Sequence, residues 1–76
     1  MPLGKQGRSA RNPELTAPEL LVLRYASHGL RPSEIAVATC KSVHTVNDQL
    51  YMARLKLRAK SRAEACSEAI RKGLIP

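Results

Sequence analysis

Apolar residues Val46, Leu50, Ala53 and Leu57 recur at steps of four, three and four. That spacing draws one stripe down the side of a helix. Ser42, just ahead of it, is a good N-cap, because its hydroxyl oxygen can accept from the free backbone N–H groups of a first turn. The pattern predicts a helix over about residues 43–58. At about 100° per residue, its other side carries His44, Asn47, Asp48, Tyr51, Arg54 and Arg58. Such a helix has two readings. It is an ordinary surface helix, or it is a recognition helix whose outer face reads base edges in a major groove.

Three more helices are predicted around it. The first starts at Thr16, where Thr16 and Glu19 have the spacing of a capping box and Leu15 precedes them as a hydrophobic staple. Leu20, Val22, Leu23 and Ala26 give it an apolar face, and Gly29 is a natural residue to end it. Leu20 and Leu21 together make that face broader than a small core needs. The second helix opens at Pro32 with Glu34 in its first turn, where negative charge is favoured. Ile35, Ala36 and Thr39 can face inward, and the helix ends near residues 39–40. A tight connection then leads to Ser42, the outline of a helix-turn-helix. The fourth helix runs from Ser61 to about Lys72. Ser61 and Glu64 suit a second capping box, Arg71 and Lys72 close the last turn, and Gly73 follows. Its apolar face is Ala65, Cys66, Ala69 and Ile70, with Leu74 and Ile75 able to fold back.

No alternating run reads as a strand, so the expected class is all-α. With 76 residues the chain makes one small domain. Thirteen Lys and Arg against six Asp and Glu leave a net charge of +7, a field that favours polyanionic partners. Residues 1–13 hold three basic residues and no acid. They read as a flexible basic arm, either a solvated tail or a segment that lies along phosphates or in a minor groove. A second basic cluster, Arg54, Lys56, Arg58, Lys60 and Arg62, contains no acid.

Several function classes drop out. No apolar run approaches the roughly 20 residues of a membrane span. No apolar segment follows the basic N-terminus, so a secretory signal is not expected, and a cytoplasmic protein is. Cys40 and Cys66, with His28 and His44, lack the paired spacing of a zinc site, and no metal or cofactor is expected. No paired acids, Gly-rich phosphate loop or nucleophile with a base at motif spacing appears, so the chain does not read as an enzyme.

The order of residues resembles the LuxR-type (GerE-like) helix-turn-helix domain. The likeness runs from Leu15-Thr16 through Glu19, Val22-Leu23, Gly29-Leu30, Glu34-Ile35-Ala36, Ser42, Thr45-Val46, Leu50, Lys56-Leu57 and Arg62-Ala63-Glu64-Ala65 to Gly73-Leu74-Ile75. It covers residues 14–76 without insertions. It departs from the family at Asn47, where a basic residue is usual, at Gln49, where His is usual, and at Thr39 and Lys41, where apolar residues are common. Arg58 stands where Gly usually ends the third helix, which lets that helix run longer.

The resemblance implies a four-helix domain in a stand-alone form, without a sensory domain. It implies a transcriptional regulator that binds double-stranded DNA sequence-specifically, its third helix in the major groove. Carried over by position, His44, Asn47, Asp48 and Tyr51 are the base-contact candidates. Asn can pair with adenine N6 and N7, and Asp can accept from cytosine N4. Asp48 also simply suits the early turns of a helix. Ser33, Lys41, Thr45, Arg54, Lys56 and Arg58 are phosphate-contact candidates, which set register without reading sequence. Thr45 could instead bond within its own turn. The fourth helix would form a homodimer through Ala65, Cys66, Ala69 and Ile70, and place two recognition helices about one DNA turn apart. The stretch Ala53–Arg58 also resembles region 4 of sigma factors. That supports a competing reading, an interaction module that binds RNA polymerase or another regulator, with Leu21 and Leu55 as exposed apolar contacts. The Ala- and Arg-rich composition fits a high-GC bacterium or its phage.

Overall fold

The computed structural model describes residues 14–76; the arm expected over residues 1–13 lies outside them. The described residues form four helices, α1 (Ala17–Ser27), α2 (Pro32–Thr39), α3 (Val43–Lys56) and α4 (Arg62–Arg71), and no strand. The all-α class and the four-helix count follow the sequence pattern.

Each helix starts on a local hydrogen-bond device. At α1, Thr16 Oγ1 accepts from the Glu19 N–H at 3.2 Å, and the Glu19 carboxylate accepts from the Thr16 N–H at 2.9 Å. Pro32 occupies the first turn of α2, and the Glu34 carboxylate accepts from the Arg31 N–H at 2.7 Å. Ser42 Oγ accepts from the Thr45 N–H at 3.0 Å, and Ser61 Oγ from the Glu64 N–H at 3.1 Å. Each such cap contributes about 1 kcal/mol. The box expected at α4 forms differently: the Glu64 carboxylate accepts from Lys60, one residue before the cap, at 2.6 Å.

All four helices end alike, on a residue with positive φ whose successor reaches back across the last turn. The returning N–H groups are Leu30 to Tyr25 O at 3.3 Å, Lys41 to Ala36 O at 3.0 Å, Ala59 to Arg54 O at 3.0 Å and Leu74 to Ala69 O at 2.8 Å. This bond satisfies a carbonyl that the helix leaves unpaired. Gly29 and Gly73 fill the left-handed position at two ends, with φ of 91° and 76°; Cys40 and Arg58 fill it at the other two, each at 56°. The long third helix admitted by Arg58 is therefore corrected. α3 stops at Lys56, and Arg58 takes the conformation that Gly would take, at a cost of order 1–2 kcal/mol for a residue with a Cβ.

Helices α1 and α3 touch each other and both remaining helices, whereas α2 and α4 do not meet. The core lies between them. Val22 and Leu23 of α1, Ile35 of α2, Val46 and Ala53 of α3, and Ala65 and Ala69 of α4 have no exposed surface. Ala36, Leu50, Leu57, Ala59, Cys66 and Ile75 complete it, with Leu15, Leu20, Tyr25, Ala26 and Leu30 packed half-buried around the rim. Small residues on α4 let it approach α1 closely. Cys66 sits there with its Sγ 3.7 Å from Leu23 O. Burial pushes its thiol up from its ordinary pKa, and the nearby Arg62 charge only partly offsets that. Of the two residues expected to fold back after α4, Ile75 does, and Leu74 remains 41% exposed.

Candidate nucleic-acid interface

The stripe Val46, Leu50, Ala53 and Leu57 is buried to the last residue, which fixes how α3 is rotated. Whatever lies opposite must face outward. His44, Asn47, Asp48 and Tyr51 are all exposed. They are the four side chains marked as base-contact candidates, and one helix presents them together. His44 Nε2 and Asp48 Oδ2 lie 3.3 Å apart across one turn, so each biases the direction of the other. The Tyr51 ring lies under the Arg54 guanidinium, 5.3 Å from its carbon to the ring centroid. Towards its C-terminal end the same face also exposes two apolar side chains, Met52 and Leu55.

The six phosphate-contact candidates separate into three groups. Ser33 in the first turn of α2 and Arg58 at the turn after α3 are exposed. Lys41, in the connection between α2 and α3, is half-buried and donates to Gln49 Oε1 at 3.4 Å. Thr45 is also half-buried, and its hydroxyl accepts from Ser42 Oγ at 3.0 Å. Its bond is thus within its own turn, the second of the two roles open to it. Arg54 is half-buried and donates from Nη1 to Ala59 O at 3.2 Å.

Lys56 is a correction. Its Nζ donates to both carboxylate oxygens of Glu19, at 2.8 and 3.1 Å, and to Glu14 O at 3.4 Å. Side-chain exposure is 20% for Lys56 and 9% for Glu19. Lys56 is therefore a latch between α3 and α1 rather than a free cation at a groove. Burial by itself would push the Glu19 carboxyl up. The hydrogen bond and charge of Lys56, with the Thr16 N–H and hydroxyl, outweigh it and hold the group below its ordinary value. No local signal announces this pair, because its members are 37 residues apart and Glu19 is already accounted for by its capping role.

The dimer set is corrected too. Ala65 and Ala69 have no exposed surface and Cys66 is 9% exposed, so they belong to the core of their own chain. Of the four, Ile70 is left on the surface, at 47% exposure. The apolar face of α4 is a single stripe, and a stripe cannot serve an inner and an outer partner at once.

Among the described residues no group of three His, Cys, Asp or Glu side chains could hold a metal ion, and no helix is long and apolar enough to cross a membrane. No protein-family model matches the chain, and a comparison with curated proteins finds no match.

Proposed function

We propose that the chain binds double-stranded DNA sequence-specifically, as a small transcriptional regulator of the LuxR helix-turn-helix type, with α3 in the major groove. The observation that carries this reading is the joint exposure of His44, Asn47, Asp48 and Tyr51 on the side of α3 opposite its buried stripe. Their chemistry suits base edges: Asn47 pairs with adenine, Asp48 accepts from cytosine N4, and Tyr51 packs on a thymine methyl or donates to a phosphate. The net charge of +7 supplies sequence-independent attraction. Ser33, Lys41 and Arg58 would contact phosphates and hold the register of α3 on the backbone. This function belongs to the cytoplasm of a bacterium or a phage-infected cell.

Selection of sites from random duplexes at moderate salt tests the reading. Enrichment of a defined motif is expected. Asn47→Ala should relax preference at one position by about 1–3 kcal/mol, the worth of a good bidentate contact. Retention of duplexes without any enrichment would refute sequence-specific reading.

A homodimer through α4 belongs to the same proposal. With its small residues taken by the core, its contact would centre on Ile70 and the neighbouring Leu74, both exposed. A two-fold motif and a dimer in sedimentation with DNA are expected; a monomer on a motif without symmetry would refute the dimer.

The exposure of Met52 and Leu55, at 41% and 45%, favours a second reading, an interaction module for RNA polymerase or another regulator. It predicts that Leu55→Ala weakens capture of the polymerase and that Asn47→Ala does not.

A further inference from the structure

We infer that Arg54 acts as a positioning residue for Tyr51, and that through the ring it sets preference at the base pair Tyr51 meets. The inference rests on the DNA-binding proposal above. Arg54 and Ala59 are tied reciprocally: the Ala59 N–H donates to Arg54 O at 3.0 Å, and Arg54 Nη1 donates to Ala59 O at 3.2 Å. Ala59 is buried at the turn that ends α3, so its carbonyl is a fixed anchor. The guanidinium, held there at one end, lies against the Tyr51 ring. The ring itself is 54% exposed on the outward face, and the guanidinium is the group set over it. A planar cation on a ring face restricts the ring to few orientations. Ordering a free side chain at binding costs affinity, and a ring already ordered avoids that cost.

The spacing of three residues puts both groups on one flank of α3. Arg58 then remains an exposed cation at this end of the helix, with Lys60 and Arg62 exposed just beyond it. The basic residue closest to Tyr51 is thus committed to the protein, and its neighbour four residues on is available to the phosphates.

The test compares wild type, Arg54→Met, Arg54→Lys, Tyr51→Ala and the Tyr51→Ala/Arg54→Met double variant. Each is titrated with the selected duplex and with a random-sequence duplex, over a range of salt. Thermal unfolding of each variant without DNA accompanies the titrations. Arg54→Met should lower the ratio of selected to random affinity about three- to tenfold, the scale of one immobilised side chain. The salt slope should stay unchanged. Arg54→Lys should not restore the ratio, since an ammonium keeps the charge but not the planar fork. In the Tyr51→Ala background, Arg54→Met should change the ratio no further. Equal weakening on both duplexes with a salt slope smaller by about one would overturn the inference and make Arg54 a phosphate contact. So would an undiminished effect without Tyr51, or rescue by Lys. A wild type that shows no preference between the duplexes fails before any variant is compared; that outcome refutes the DNA reading, and this inference with it.

Discussion

Lys56→Met cuts the latch between α3 and α1 while keeping most of the side chain's apolar stem in place. The substitution removes two bonds to the Glu19 carboxylate, at 2.8 and 3.1 Å, and leaves that group with the Thr16 N–H and hydroxyl. A hydrogen bond to a charged group contributes about 1.5–3 kcal/mol, and stripping one member from a fully buried ion pair costs about 3–5 kcal/mol. Neither partner is sealed from water, with 20% and 9% of the side chains exposed, so the lower range applies. A loss of about 2 kcal/mol corresponds to a fall in Tm of about 8–16 °C for a domain of this size. Urea unfolding followed by circular dichroism at several pH values measures it. In the wild type the Glu19 carboxyl is held below its ordinary value. Its contribution is therefore whole above the unfolded value of about 4.3 and is lost as pH falls through the lower folded value. In the variant burial is opposed only by the Thr16 N–H and hydroxyl, so the Glu19 carboxyl stands higher than in the wild type and loses less stability as pH falls. The two stability curves should converge between pH 7 and pH 3. Equal stability at pH 7, or a gap of the same size at pH 3, would refute the latch. DNA titrations of the variant, made where it is fully folded, should keep the wild-type salt slope.

Other expectations follow from the core and the helix ends. Leu23 has no exposed surface, and Leu23→Ala should cost about 2–5 kcal/mol, read as a large fall in urea midpoint. Cys40→Gly and Arg58→Gly should each stabilise the chain by about 0.5–1 kcal/mol, since Gly relieves a left-handed Cβ but loses more entropy on folding; thermal unfolding distinguishes this from no change. Gly73→Ala should destabilise by about 1 kcal/mol. A Cβ built there meets nothing within 4 Å, so the cost is conformational and a partner's bulk plays no part. At pH 8 a thiol reagent should modify exposed Cys40 in the native protein and spare buried Cys66, which mass spectrometry after brief labelling reads directly.

The sequence by itself determined the elements. The Thr16, Ser42 and Ser61 caps, the apolar stripe of α3 and the glycines after α1 and α4 are short-range features, each acting within about one helical turn. The rotation of α3, and with it the outward placement of His44, Asn47, Asp48 and Tyr51, was legible for the same reason: a four-residue apolar stripe leaves one side to face water. The contacts His44–Asp48 and Tyr51–Arg54 were within reach too, at spacings of four and three. Only the tertiary structure decided the rest. Lys56 looked like one more member of a basic run until α1 brought Glu19 to it from 37 residues away. Ala65, Cys66 and Ala69 looked available until the core of their own chain took them. Arg58 looked able to extend α3 until the returning Ala59 N–H turned the chain. A charge pattern states which residues can pair, and an apolar face states that something must cover it. Neither names the partner, because the partner is chosen by which surfaces the folded chain brings within a few ångströms.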